Sequence, residues 1–223
     1  MRTIARDAII EHIAQIELGG LSAAERQEQL ETICGENWSE DSAWSALSHD
    51  VRRELEEGEL QHPASSSRYD GALLMWLRTR YRLTTNDFLR DYARTLGIAV
   101  DAVDEVVGEP PAAEACPCCG YATLDARGCS DICHVCWWED DGTDNDDAET
   151  VGGPNHDVSL TQGRANFLTH GSSDPRRDDL LPFHDPPQRY RRVRTFVLSH
   201  DGREVSEPTH GWTSRAFDLA PPN

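Results

Sequence analysis

Cys116, Cys119, Cys133 and Cys136 form two Cys-x-x-Cys pairs within twenty-one residues. Two such pairs can bring four thiolates to one point, the donor set of a tetrahedral structural Zn²⁺ site. A metal enclosed by four sulfurs has no coordination position left for water or substrate, so this chemistry is structural rather than catalytic. The thirteen residues between the pairs suit a short β-hairpin or loop, as in zinc ribbons. Gly120, directly after the first pair, suits a left-handed backbone position. Three further cysteines are expected outside the ligand set. Cys118 lies inside the first knuckle and should point away from the metal. Cys129, four residues before Cys133, is the weaker candidate for a substitute ligand. Cys34 is read as a core residue of a helix. His134, interior to the second knuckle, is expected to face solvent.

The second chemistry-bearing stretch follows at once. From Glu139 to Glu149, seven carboxylates fall in eleven residues with no basic residue among them. The Asp-x-Asp spacing of a calcium loop is missing, so a solvated acidic loop is the simpler reading. Trp137 and Trp138 stand beside it, and Trp137, Trp138, Glu139, Asp140 and Asp141 together make a candidate interaction surface, since aromatic anchors with charged neighbours are what interfaces use. The alternative is that the two tryptophans pack over the metal site, because small metal modules need bulky residues for a core. A hydrolytic site combining these acids with His156 would need a second, open metal position. No Gly-x-Ser-x-Gly, His-Glu-x-x-His or glycine-rich phosphate motif occurs.

The chain has 223 residues and a formal charge of −19, and its 21 basic residues are all arginine. Missing lysine excludes Schiff-base and Walker-type chemistry. Such a negative field repels a phosphate backbone and favours a basic protein partner. The exception is Arg189, Arg191, Arg192 and Arg194, four arginines in six residues. They suit either nucleic-acid contacts, as in a nucleic-acid-binding zinc ribbon, or pairing with the acidic loop; the second explains both features with less. No apolar run reaches the roughly 20 residues of a membrane span, and the N-terminus does not read as a secretory signal. Cysteines clustered as metal ligands suit a reducing cytoplasm.

These sites need elements to hold them. Residues 1–109 read as a helical domain. Ile4, Ala8, Ile9, Ile13 and Ile16 recur at helical spacing and stop at Gly19. Ser22 with Glu25 predicts a capping box, with Leu30 and Ile33 on the inner face of the helix it starts. One helix is expected from Ser39 through Trp44, Leu47, Val51 and Leu55 to Gly58, another from Tyr69 to Tyr81, and a fifth capped by Thr84 or Thr85. A short sixth follows Asp101 with Val103, Val106 and Val107. Pro110 and Pro111 mark a linker. Residues 115–187 form the metal module. Residues 188–223 hold the arginines, a hairpin turning at Asp201 and Gly202, and a Pro-rich end expected to be mobile. The fold class is therefore α+β: a helical N-terminal domain, then a small zinc-ribbon-like module with a C-terminal β-hairpin.

Cys116-Pro-Cys-Cys-Gly-Tyr121, Arg127-Gly128, Ile132-Cys-His-Val-Cys136, Trp138-Glu-Asp-Asp-Gly142, Gly153-Pro-Asn155, Ser159-Leu160 and Ala165-Asn166 resemble the bacterial cysteine-rich CPCC domain family. The resemblance covers roughly 115–185. His134 stands where that family usually has proline and Ser130 where it usually has an aromatic residue; neither touches the ligand set. The resemblance implies the domain and brings no biochemical activity with it. The function expected from the sequence is a zinc-binding, non-enzymatic protein-interaction protein, with an immunity or antitoxin-like protein masking a basic partner as one concrete form. Nucleic-acid binding through the arginines and metal-dependent hydrolysis at the acidic loop are the alternatives.

Overall fold

A computed structural model describes residues 2–35, 37–38, 41–98 and 104–215. The chain divides into two compact units, Met1–Pro110 and Pro111–Asn223.

The first unit is helical apart from one short strand pair. Strand β1 (Thr3–Ala5) leads into α1 (Arg6–Gly20), and β1 pairs in parallel with β2 (Glu105–Val107). Two sequence expectations change here. Ile4 extends the helical spacing on paper but is a strand residue opposite Val106. Val106 and Val107, expected in a sixth helix, alternate in and out as a strand does, with Val106 buried and Val107 exposed; Val103 lies outside the described residues. Ile9 and Ile13 are fully buried, whereas Ile16 faces outward.

Ser22 starts α2 (Ala23–Cys34) with a complete capping box: its hydroxyl accepts from Glu25 N–H, and the Glu25 carboxylate accepts from Ser22 N–H at 2.8 Å. The single helix expected from Ser39 to Gly58 is two, α3 (Ser42–Ala46) and α4 (His49–Glu57); Ser39 itself is outside the described residues. Asp41 caps the first and Ser48 the second, and the extended backbone of Leu47 separates them. Next come α5 (Asp70–Thr79) and α6 (Asn86–Thr95), the latter capped by Thr85.

Among the described residues, two hydrophobic clusters lie in this unit. One joins Leu30, Ile33, Trp44, Leu55 and Leu73, with Cys34 half-buried at its edge. The other joins Ile9, Ile13, Leu89, Ala93 and Val106. Buried Arg6 donates to the carbonyls of Tyr81, Arg82 and Thr84, supplying donors to the chain where it leaves α5.

The second unit begins with β3 (Glu114–Ala115) and β4 (Ala122–Leu124), antiparallel across the first knuckle. After the second knuckle and the acidic loop comes α7 (Leu160–His170), capped by Ser159 and closed by Gly171. The expected C-terminal hairpin is present as β5 (Val197–Leu198) and β6 (Glu204–Glu207), and β7 (Trp212–Arg215) adds a third antiparallel strand. The Pro-rich end expected to be mobile lies outside the described residues. A small cluster of Ala165, Phe196 and Val205 joins α7 to this sheet.

Candidate metal centre

The four cysteines of the two pairs come together. Their sulfurs lie within 4.8 Å of one another and all four side chains are fully buried. Cys116 Sγ is 3.7 Å from Cys136 Sγ, and Cys119 Sγ is 3.6 Å from Cys133 Sγ. A tetrahedron with metal–sulfur bonds near 2.3 Å has edges of about 3.8 Å, whereas a disulfide needs about 2.05 Å. The donor set therefore fits one metal ion. Cys118 is buried but outside the group, and Cys129 is exposed with its thiol near the Arg127 carbonyl, so the substitute-ligand reading of Cys129 is not met. His134 is exposed, as its place in the knuckle predicts.

The two knuckles have the same backbone construction. Gly120 N–H donates to Cys116 O at 2.9 Å, and Trp137 N–H donates to Cys133 O at 2.8 Å. Cys116 N–H donates to Tyr121 O, and Cys133 N–H to Trp138 O. Each turn closes on a residue in the left-handed region, Gly120 at φ +81° and Trp137 at φ +62°. The glycine has a further reason to be there. A Cβ on it would lie 2.2 Å from the carbonyl oxygen of Arg194, whose own N–H donates to Gly120 O at 3.0 Å. Gly120→Ala is expected to destabilise the unit through left-handed strain of about 1–2 kcal/mol and a backbone clash of about 1–3 kcal/mol. Thermal melting of the metal-loaded protein checks this, and a melting point equal to wild type would refute the close approach.

Burial disfavours ionisation of every thiol in the group. It pushes Cys116 up to about 11 and raises Cys119 and Cys136 as well. Cys133, under the same burial, is held low by hydrogen bonds from the other three cysteines and from the Thr123 hydroxyl, 3.1 Å away. A divalent cation held by the four sulfurs would supply the charge that ionises these thiols, and metal binding would then be coupled to folding.

The acidic loop is not simply a solvated run. Asp140 is fully buried and accepts from Arg127 Nε at 3.0 Å and Gly128 N–H at 2.6 Å. Trp138 is also buried, its six-membered ring packed on Gly163 of α7, where a Cβ would approach it to 3.1 Å. These two members of the candidate interaction surface therefore face inward. Trp138 packs beside the metal knuckle, and Asp140 is drawn in by an arginine thirteen residues earlier in the chain. Trp137 and Glu139 are half-buried, with the Glu139 backbone held by the Asn155 side chain, and Asp141 is exposed. His156 is exposed, in a left-handed turn after Gly153–Asn155.

Asp144 anchors a second polar centre. Its carboxylate accepts from Arg127 at 2.8 Å, from Arg194 at 2.8 and 3.0 Å and, more weakly, from Arg164 at 3.4 Å. Arg194 also forks onto fully buried Glu207 at 2.7 and 2.8 Å. Arg164 is fully buried. Its guanidinium lies 4.2 Å from the ring of Phe196 and 4.4 Å from that of Trp212, and its Nε donates to Pro117 O inside the first knuckle. Burial lowers the Arg164 pKa to about 10, still protonated at neutral pH. One side chain thus ties the metal knuckle to the acid–arginine network.

Of the four clustered arginines, Arg194 enters this network and buried Arg189 pairs with Asp185 at 2.7 Å, while Arg191 and Arg192 are exposed. Arg127, Arg164, Asn145 and Glu207 were not singled out from the sequence. Only Arg127 carried a signal, as part of the Arg127-Gly128 motif.

Burial by itself would raise the pKa of Glu207 and Asp144. The bonds from Arg194, joined by Asn145 on Glu207 and Arg127 on Asp144, outweigh it, so Glu207 is held at about 2 and Asp144 below the usual carboxylate range. A carboxylate whose folded pKa is depressed contributes stability that is complete above its unfolded pKa and lost as pH falls through the folded one. For Glu207 that window runs from about pH 4.5 down to about 2. The melting-point gap between wild type and Arg194→Ala should therefore shrink as pH falls through it, whatever acid does to the metal in both proteins. A gap that stays constant would show that these ion pairs do not couple to folding.

Residues 114–187 match the family model described as Cysteine-rich CPCC, about a third of the chain. Neither the curated proteins nor the solved structures contain a match to the chain.

Proposed function

We propose that the protein is a zinc-stabilised, non-enzymatic binding protein for a basic protein partner. The observation that carries this reading is the set of four buried sulfurs at tetrahedral spacing. With that donor set, zinc is a structural ion that shapes a surface rather than a Lewis acid that receives substrate. The charge of −19 supplies the partner's character. Masking of a basic toxin, in the manner of an immunity or antitoxin protein, is one concrete form.

The arrangement of charges supports this reading over its two rivals. Phosphate contacts need cations that are available, and Arg194 and Arg189 are already committed to carboxylates. Hydrolysis at the acidic loop needs acids gathered around an open metal. Instead Asp140 and Asp144 are drawn toward Arg127, and among the described residues the only group of candidate ligands that converges is the four cysteines. No described helix is long and apolar enough to cross a membrane. A reducing cytoplasm is the compartment that suits seven free cysteines.

Affinity capture with the full-length, zinc-loaded chain tests the proposal. A specific basic protein should be retained at about 50 mM salt and released as ionic strength rises. Recovery of no specific protein at either salt, or a mobility shift of DNA or RNA at micromolar protein, would count against it.

A further inference from the structure

Trp137 and Trp138 together border an open cavity of about 60 Å³, lined also by His156, Asp174, Arg177 and Leu180. The indole Nε1 of each is out of solvent and has no hydrogen-bond partner in the protein. Trp138 is 2% exposed, with Cε3 and Cζ3 packed against Gly163 of α7. An indole N–H can only donate, so two buried ones beside a cavity call for an acceptor within it. The volume holds a few non-hydrogen atoms, the size of a carboxamide or carbonyl group.

The surface around this cavity has its own character. Trp137 stacks on His184 at 6.0 Å and meets Phe183 at 6.4 Å. Phe183 is 64% exposed, so an apolar shelf continues outward from the indole. Between residues 139 and 185 the chain carries twelve carboxylates and three arginines; Asp140, Asp144 and Asp185 are already paired with Arg127, Arg194 and Arg189 from outside this stretch, which leaves nine carboxylates to three arginines. Those arginines are engaged: Arg164 within the buried network, Arg176 with Asp157 and Asp174, and Arg177 with Asp179. An incoming carboxylate would meet this excess of acid, whereas a neutral carbonyl flanked by cations satisfies both the indoles and the field.

We propose that this face is the docking surface for a basic polypeptide segment. An apolar side chain of the segment lies on Phe183 and Trp137, a carbonyl oxygen next to it accepts from the Trp137 and Trp138 indoles, and flanking arginines or lysines face the carboxylates. The proposal rests on the basic-partner reading above and names the surface that performs it.

The test uses zinc-loaded, full-length protein with ¹⁵N-labelled tryptophan, titrated with the blocked peptide Ac-Arg-Leu-Arg-NH₂ and, as control, Ac-Glu-Leu-Glu-NH₂. Trp137→Phe and Trp138→Phe assign the indole signals. The Trp137 and Trp138 N–H signals should shift saturably with the basic peptide alone. Phe183→Ala should weaken that binding about fivefold or more, as loss of a central aromatic anchor does, with zinc content and melting unchanged. Binding of the basic peptide with both signals unmoved and Phe183→Ala neutral would overturn this surface while leaving the basic-partner reading in place. Equal shifts with the acidic peptide would overturn the charge selection. Absence of any binding would overturn the surface and weigh against the wider reading as well.

Discussion

Cys119→Ser or Cys136→Ser will strip the second unit of its metal and abolish its cooperative melting, while the helical signal of the first unit survives. The four buried sulfurs join the two knuckles, whereas the described apolar cluster joining α7 to the sheet has three buried members, Ala165, Phe196 and Val205. Structural zinc in small modules supplies an apparent 10–16 kcal/mol, roughly, as much as the whole stability of a typical domain, about 5–15 kcal/mol. Serine is close in size to cysteine, so packing changes little and the loss reports the missing thiolate. The first unit has its own clusters, built from residues between Ile4 and Val106, and should not follow. Metal analysis paired with a two-transition melt reads both halves of the prediction. Retained stoichiometric zinc and unchanged melting in both variants would break the ligand assignment.

The second large effect is expected at Arg194. Its guanidinium bridges Asp144 and fully buried Glu207, and its backbone meets Gly120. Arg194→Ala leaves Glu207 buried with only Asn145 and His210 beside it. Removing one partner of a buried ion pair costs about 3–5 kcal/mol, because the remaining charge has lost its compensation. Arg194→Lys should recover only part of this, since one ammonium cannot reproduce the fork onto two carboxylates. Chemical denaturation of wild type, Arg194→Ala and the double variant Arg194→Ala/Glu207→Gln gives the decisive comparison. Neutralising Glu207 should restore stability in the Arg194→Ala background, and failure to restore any would show that the arginine acts through packing alone.

What could be read in advance follows from how local each cause is. The metal group was legible because ligand chemistry fixes residue type and spacing together, and the capping box because Ser22 and Glu25 satisfy each other within one turn. The helix–turn boundary at Leu47 was missed because Trp44, Val51 and Leu55 keep helical spacing across a break that the caps Asp41 and Ser48 decide. The β1–β2 pair joins residues a hundred positions apart, so no local periodicity announces it. Helix α7 shows no apolar stripe, since Thr161, Gly163, Arg164, Ala165 and Asn166 are all buried. Its arginine lies between two aromatic rings that arrive from beyond residue 195. Asp140 belongs to an acidic run that reads as solvated, and the Arg127 guanidinium with the Gly128 N–H makes its burial tolerable.

Gly120 and Trp137 make a similar contrast at the metal knuckles. The left-handed turn is common to both, yet glycine is imposed only in the first, where the Arg194 carbonyl fills the space a side chain would need. In the second, the same turn carries an indole outward to the shelf with Phe183 and His184. The pair of knuckles thus serves two ends, one closing onto the arginine network and the other presenting an aromatic surface.

X-ray absorption at the zinc edge of the purified full-length protein tests the central claim most directly. The account predicts a first shell of four sulfurs at about 2.3 Å and no nitrogen or oxygen neighbour. A shell containing an oxygen or nitrogen ligand, or fewer than four sulfurs, would contradict it, because the ion would then have a coordination site for chemistry and the case for a purely structural metal would fail.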